Sequence, residues 1–238
     1  MQPEQSNNNS IKHPPYWTVG FSQRLWWIFT KLPFKFFAHL KIYGRENFAH
    51  IENGIIFASN HVSELDGELI SESFGLFSKR IPFFYVTRER SFYKEGFVEK
   101  YIFTQTVLHL AGAYPVLIGI RNFEKSLADH IKLLKKHNNV VIFPEGKRSR
   151  DGNLLEAKGG VVALAKYSRA PIVPVAISGI LHITPSDFLL RRRYVTVRFG
   201  KPIYPDELFL GCENPDPSEF ARIANEKIMP KIAELLQP

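Results

Sequence analysis

Short, strongly apolar segments alternate with longer segments of helical periodicity along most of this 238-residue chain. Strand-like runs lie at 54–59, 81–87, 140–143, 172–177 and 194–199. Apolar residues recur at helical spacing in the segments between them, which are 62–74, 97–110, 123–137 and 160–167. A last helix is predicted from Ser218, with a kink at Pro230. This alternation predicts a single α/β domain with a mixed, mostly parallel sheet and helices on both faces.

The bulk composition limits the class of protein. The chain is 45% hydrophobic, so one domain with a good core is expected, although 238 residues also allow two domains. Its net charge is +8 and its isoelectric point is near 9.5, so a polyanionic partner is expected: nucleic acid, phospholipid or a phosphorylated substrate. A single cysteine, Cys212, excludes a disulfide framework and fits a reducing compartment. No P-loop, G-x-S-x-G, dinucleotide-binding or H-E-x-x-H motif occurs.

A histidine and an aspartate stand where the first strand-like run meets the helix predicted over 62–74. Asp66 comes five residues after His61, and on one continuous helix two such side chains would point roughly 140° apart. They can therefore meet only if His61 precedes the helix and folds back over its first turn, with Ser63 as the predicted cap. In that arrangement His61 is a candidate general base and Asp66 its orienting carboxylate.

A second motif, Phe143-Pro144-Glu145-Gly146-Lys147-Arg148-Ser149, follows the run at 140–143. Its cations make this turn a candidate phosphate-binding element. An enzyme that takes a proton from the hydroxyl of a phosphorylated alcohol needs both a base and such a turn. The His-x4-Asp spacing also recurs at His182 and Asp187, with Pro185 between them and no strand-helix junction around them. The sequence predicts an ordinary loop histidine there.

The two motifs resemble blocks of the glycerolipid acyltransferase family, whose best-known members are the lysophosphatidic acid acyltransferases. Four segments carry the resemblance in order: Asn60 to Asp66, Gly112 to Val116 with Arg121 after it, Phe143 to Ser149, and Ala170 to Val175. The resemblance covers residues 54–178. Two departures stand out, because the family usually has Thr where this chain has Lys147, and its second-block arginine lies nearer the apolar triplet than Arg121 does.

The resemblance implies an O-acyltransferase that moves a fatty acyl group from an acyl thioester to the free hydroxyl of lysophosphatidic acid. It implies His61 and Asp66 as catalytic residues. The substrate-binding residues that it implies are Glu145, Gly146, Lys147, Arg148, Ser149 and Arg121. The three cations would hold the acceptor phosphate, and Glu145 would orient Arg148 or a substrate hydroxyl. Acyl-coenzyme A or acyl carrier protein would supply the thioester, and no metal or bound cofactor is implied.

The N-terminal segment is basic and aromatic. No Asp or Glu occurs between Gln5 and Arg45, and Trp, Phe and Lys side chains are interleaved there. Its longest apolar run, 25–29, is far shorter than the ~20 residues of a membrane-spanning helix. We predict a membrane-interface segment at 1–40 and an acyltransferase domain at 41–238. In the alternative interpretation, these aromatics cap the domain's own core.

A second basic run, Phe188-Leu189-Leu190-Arg191-Arg192-Arg193, fits either a membrane contact or a solvated turn. The expected partners are membrane phospholipids, a lysophospholipid acceptor and the thioester donor, without nucleic acid. A peripheral position on the cytoplasmic face of a membrane is expected. Other functions stay open: acylation of another lyso-lipid or of glycerol-3-phosphate, non-catalytic membrane binding, and nucleic-acid binding, which only charge and aromatic content suggest.

Overall fold

The computed structural model of the chain describes residues 15–87, 105–117, 122–212 and 215–237. Three predictions lie wholly or partly outside these residues. They concern Arg121, residues 97–104 of a predicted helix, and the start of the N-terminal segment.

Seven strands of the described residues form one sheet, in the order β1-β7-β6-β2-β5-β3-β4. The strands are β1 Lys41–Tyr43, β2 Ile56–Ser59, β3 Phe83–Thr87, β4 Ala113–Pro115, β5 Asn139–Ile142, β6 Ile172–Ser178 and β7 Thr196–Phe199. All neighbouring strands run parallel except β6 and β7, which are antiparallel. The predicted α/β fold with a mixed, mostly parallel sheet is therefore confirmed.

Helices connect most of the strands. They are α1 Tyr16–Phe37, α2 Asp66–Glu72, α3 Gln105–Leu110, α4 Phe123–Ser126, α5 Ala128–Lys135, α6 Gly160–Ser168, α7 Pro185–Leu189, α8 Pro205–Leu208, α9 Phe220–Ile223 and α10 Met229–Leu236. The predicted C-terminal helix is interrupted by a π-helical turn, Ala224–Ile228, just before Pro230. Since proline has no N–H to donate, the regular hydrogen-bond ladder cannot continue through that position.

The sheet is buried on both faces, and alternate residues of each strand serve different cores. In β2, Ile56 and Ala58 face a core that α5, α6, α9 and α10 cover. Phe57 faces the opposite core, which α2 and α7 cover together with the C-terminal part of α1. The two cores fix β2 in the centre of the sheet, with β5 and β6 as its neighbours.

Helix α1 packs on the domain along one side only. Val19 and Phe34 are buried in the two cores. Gln23 is also buried, and it donates to the carbonyl of Phe83 at 2.7 Å and accepts from the N–H of the same residue at 2.9 Å. The other side exposes an apolar stripe: Trp17, Phe21, Leu25, Trp26, Ile28, Phe29, Leu32 and Phe36. Among the described residues, no helix is both long and apolar enough to span a bilayer.

The same helix holds the C-terminal end of α2. The Nζ atom of Lys31 donates to the carbonyl of Glu72, and Trp27 Nε1 donates to the carbonyl of Phe74 at 2.7 Å. Thr30 donates its hydroxyl hydrogen to the buried carboxylate of Glu72. The bond from Lys31 satisfies one of the carbonyl groups that a helix leaves unpaired at its end. Helix α1 therefore fixes the position of α2, which begins at the candidate carboxylate.

Candidate active site

The two predicted motifs meet at the carboxyl ends of two neighbouring parallel strands. His61 follows β2, and the segment Glu145–Ser149 follows β5. Residues 56–58 of β2 pair in register with residues 140–142 of β5. Ligands of open α/β sheets bind at this end of the strands, so this edge is the candidate site.

The imidazole of His61 is hydrogen-bonded to the carboxylate of Asp66. His61 Nδ1 lies 2.8 Å from Asp66 Oδ2, and the Asp66 side chain is fully buried while that of His61 is 20% exposed. Since a carboxylate only accepts, Nδ1 is the donor. The lone pair is then on Nε2, the nitrogen that is free to accept a proton.

The turn between these two residues is organised by the same carboxylate oxygen. Asp66 Oδ2 also accepts the backbone N–H groups of Val62 at 2.7 Å and Ser63 at 2.8 Å. Helix α2 consequently begins at Asp66, and the prediction of a helix from 62 capped by Ser63 is wrong. His61 does precede the helix and fold back over its first turn, as predicted.

The second motif holds the backbone of His61 from both sides. Glu145 Oε1 accepts the His61 N–H at 2.9 Å, and Oε2 accepts the Leu155 N–H at 2.9 Å. The Ser149 N–H donates to the His61 carbonyl at 2.7 Å. Glu145 is buried, and burial raises the pKa of its carboxyl. The ring of Phe143 stacks on the imidazole, with 4.1 Å between ring centroids.

The cations of the second motif lie at the surface of this edge. Arg148 Nη1 is 2.7 Å from Glu64 Oε1, and both side chains are more than half exposed. Of the two roles predicted for Glu145, orienting Arg148 is therefore wrong, because Glu64 holds the guanidinium. The other role, orienting a substrate hydroxyl, stays a prediction. Lys147 is exposed and has no ion-pair partner within the described residues. Arg121, the third predicted cation, lies outside them.

Two further residues of the motif shape its loop. Gly146 has φ +65°, the left-handed region that favours glycine, and its N–H donates to the Phe143 carbonyl at 3.0 Å. This N–H is therefore already used within the turn. The Ser149 hydroxyl donates to Asp151 Oδ1 at 3.0 Å.

Asn60 fixes the end of β2, a role that the motif alone did not reveal. Its Nδ2 donates to the Ile177 carbonyl at 3.0 Å, and its Oδ1 accepts the Ile177 N–H at 2.8 Å. The side chain is buried, so this paired bond anchors the residue before His61 to β6. The sequence signal for this anchoring role was an asparagine directly after a predicted buried strand.

The second His-x4-Asp pair does not assemble. His182 Nε2 bonds the Arg150 carbonyl at 2.7 Å. Asp187 forms a capping box with Thr184 at the start of α7 and pairs with Arg193 at 3.3 Å. Hydrogen bonds from Thr184 hold the pKa of Asp187 below its usual value. The prediction of an ordinary loop histidine at 182 agrees with these contacts.

Comparison with known proteins places these residues in a family context. A family model described as Acyltransferase matches residues 39–178, more than half of the chain. The chloroplastic 1-acyl-sn-glycerol-3-phosphate acyltransferase of Brassica napus is 29% identical over 200 residues, covering 81% of this chain and 52% of that protein. The Bacillus subtilis 1-acyl-sn-glycerol-3-phosphate acyltransferase is 31% identical over 140 residues, covering 59% of this chain and 63% of that protein. The chain thus spans about half the length of the Brassica napus protein.

A solved structure shares the fold. The 1-acyl-sn-glycerophosphate (LPA) acyltransferase PlsC from Thermotoga maritima aligns with a TM-score of 0.57 over 92% of this chain and 79% of its own. The sequences are 19% identical, so this likeness concerns architecture alone.

Proposed function

This chain belongs to the acyltransferase family, and from that premise we propose that it transfers a fatty acyl group from an acyl thioester to the free hydroxyl of lysophosphatidic acid, giving phosphatidic acid. The observation that carries the proposal is the hydrogen bond between His61 and the buried Asp66 at the carboxyl end of β2. Relatives named as 1-acyl-sn-glycerol-3-phosphate acyltransferases support the choice of acceptor.

In the proposed reaction, His61 activates the acceptor. Its Nε2 takes the proton of the hydroxyl as the oxygen attacks the thioester carbonyl carbon. The tetrahedral intermediate then collapses, the carbon–sulfur bond breaks, and the imidazolium returns its proton to the leaving thiolate. Asp66 stabilises the imidazolium in between, and such general-base help is worth roughly 10²–10⁴-fold in rate. No acyl-enzyme is required, because the acceptor oxygen is itself the nucleophile.

The second motif supports this step by positioning. Glu145 and Ser149 hold the N–H and the carbonyl of His61, and Phe143 covers one face of its ring. A base whose backbone and ring plane are both restrained is preorganised for attack, which is the geometric requirement of acyl transfer. In this proposal, Glu145 acts through the His61 backbone and not as a second base.

We assign the acceptor phosphate to the exposed cations beside the base. The exposed ion pair of Arg148 with Glu64 is of a kind worth only about 0–1 kcal/mol. A phosphate can therefore replace the carboxylate and form bidentate hydrogen bonds with the guanidinium. Lys147 stands next to it with its charge unpaired among the described residues, and Arg121 is the proposed third cation.

A lipid acceptor requires the enzyme to work at a bilayer surface. The apolar stripe of α1 supplies the aromatic and aliphatic side chains of an interfacial helix. We propose that α1 binds membrane phospholipids through this stripe, on the cytoplasmic face. The donor in this proposal is acyl-coenzyme A or acyl carrier protein, with no bound cofactor.

The experiment offers the purified protein several acceptors with each type of donor, and the products are read by mass. Lysophosphatidic acid should give phosphatidic acid faster than another lysophospholipid or glycerol-3-phosphate is acylated. Faster acylation of one of the others would replace the proposed acceptor. No acylated product from any acceptor would overturn the proposed activity.

A further inference from the structure

A second exposed element combines apolar and cationic side chains. We name residues 188–194 the basic turn. Its Leu189 and Leu190 are 63% and 59% exposed, although leucine favours the interior. Arg191 and Arg192, which follow them, are also exposed. Two adjacent exposed leucines followed by cations are typical of segments that lie in a lipid headgroup region.

The basic turn is packed directly against the C-terminal end of α1. The ring of Phe188 lies 5.7 Å from that of Phe34 and 5.4 Å from that of Phe37, measured between centroids. The guanidinium of Arg191 lies 4.3 Å above the ring of Phe36, the last residue of the apolar stripe. The stripe and the basic turn therefore form one continuous surface.

This surface reaches the edge of the sheet that carries the candidate site. Ser178 at the end of β6 pairs with Thr196 at the start of β7, so the basic turn precedes β7 at the carboxyl end of β6. There the Val195 N–H donates to the carbonyl of Ala38, just after α1, at 2.9 Å. The loop before α7, which leads into the basic turn, contacts the residue after the second motif through the bond between His182 and the Arg150 carbonyl.

The charge of the basic turn is only partly neutralised. Arg193 pairs with Asp187 at 3.3 Å. Arg191 and Arg192 have no carboxylate partner in the part of the chain that the structure describes. These two guanidinium groups, which have no carboxylate partner among the described residues, stand beside exposed leucines. Such a surface matches an anionic bilayer, whose interior is apolar and whose headgroup layer is anionic.

We propose that the basic turn is a second lipid-contacting element, which places Leu189 and Leu190 in the surface of an anionic bilayer while Arg191 and Arg192 bind headgroup phosphates. An acidic protein partner would use the arginines but would leave both leucines and the adjoining stripe uncovered. This inference rests on the proposed contact of α1 with lipid. It adds that the second contact orients the candidate site toward the membrane.

The test measures binding of the full chain to vesicles by flotation, without any turnover. One vesicle type contains phosphatidylcholine alone, and the other contains phosphatidylcholine with phosphatidylglycerol. Arg191→Gln/Arg192→Gln should lower the partition coefficient for the anionic vesicles by about 30-fold and leave binding to neutral vesicles nearly unchanged. Leu189→Ser/Leu190→Ser should lower binding to both types by about tenfold or more.

The matched control removes two exposed cations from α5, on the opposite face of the sheet. Lys132→Gln/Lys135→Gln should change anionic binding by less than about threefold, because distant surface charges are screened. An equal loss in this control would mean that only the net charge matters, and the proposal would fall. Thermal unfolding checks that each variant is folded. If the double arginine variant is unstable, the single change Arg192→Gln replaces it, and its binding to anionic vesicles should fall about fivefold.

A different result would point to another partner. If the arginine variant binds vesicles like the wild type but has a raised KM for acyl carrier protein, the turn docks an acidic protein and the lipid proposal is overturned. Because binding is measured without substrate, the proposed lipid contact can hold even if the acceptor proves to be another lipid. Failure of the proposed acyltransferase activity would appear in the acceptor assay and not in this binding measurement.

Discussion

Replacing Asp66 with asparagine separates the charge of the carboxylate from its geometry. Asp66 Oδ2 accepts three N–H groups, those of the His61 imidazole, Val62 and Ser63. The buried Oδ1 has no hydrogen-bond partner among the described residues. An asparagine whose carbonyl oxygen takes the place of Oδ2 therefore keeps all three bonds and the imidazole tautomer. The two backbone donors enforce this orientation of the amide.

The expected loss follows from the missing charge. Two unit charges about 4 Å apart interact by about 4 kcal/mol at an effective dielectric constant of 20. This stabilisation of the imidazolium is only partly developed in the transition state. Asp66→Asn should therefore lower the rate of acyl transfer by about 10²-fold, which corresponds to roughly 2.7 kcal/mol. Stability should fall by only about 1–3 kcal/mol, since the amide NH₂ is left without an acceptor.

Initial rates of thiol release in the presence of acceptor measure the loss of activity of Asp66→Asn, and thermal unfolding measures its loss of stability. Asp187→Asn is the matched control, because it makes the same change in the second His-x4-Asp pair. It should keep its activity and lose at most about 1 kcal/mol of stability, because its amide oxygen still accepts the Thr184 N–H and only the ion pair with Arg193 is lost. A rate for Asp66→Asn within about threefold of the wild type, or an equal loss of activity in both variants, would contradict the proposed role of the Asp66 charge.

Three other outcomes are expected from the contacts of the site and its supports. Arg148→Ala should raise the KM for a phosphorylated acceptor about tenfold or more and leave the KM for the thioester unchanged. Arg148→Lys should restore only part of the affinity for the acceptor. An equal loss with an acceptor that lacks phosphate would contradict the phosphate-binding role of Arg148. Asn60→Ala should destabilise the chain by about 2–4 kcal/mol in urea denaturation, because both backbone groups of Ile177 lose their partner; a change within about 0.5 kcal/mol would contradict it. Burial raises the pKa of Glu72 from 4.5 to about 7, so the folded state binds its proton more tightly and the stability that this provides is lost as pH rises through about 7. Glu72→Gln should thus gain on the order of 2–3 kcal/mol relative to wild type between about pH 4.5 and pH 8, and a constant difference would refute this.

The sequence predicted the central strands and the meeting of the base with its carboxylate. The runs that became β2, β5 and β6 are almost wholly apolar because both faces of a parallel sheet are buried. Helical geometry required His61 to precede the helix if it was to meet Asp66, and the predicted strand-helix junction supplied that arrangement. The start of α2 was misplaced, because the Asp66 side chain bonds the turn before it and so delays the helix.

Other parts of the structure depend on contacts that the sequence does not encode locally. The edge strands β1 and β4 have three residues each, too few for a period of two to show. Glu145 bonds the N–H groups of His61 and Leu155. The sequence does not show which backbone N–H groups a side chain will bond. Glu145, an acidic residue in a cationic motif, was therefore predicted to orient the nearby Arg148.

The most direct test of the account compares thioester consumption by the wild type and by His61→Ala, each with and without lysophosphatidic acid. If His61 activates the acceptor hydroxyl for direct attack, the wild type should release thiol only when acceptor is present. His61→Ala should then be slower by at least ~10²-fold, with unchanged thermal unfolding. A burst of thiol release by the wild type without acceptor, or a comparable rate in His61→Ala, would contradict the account.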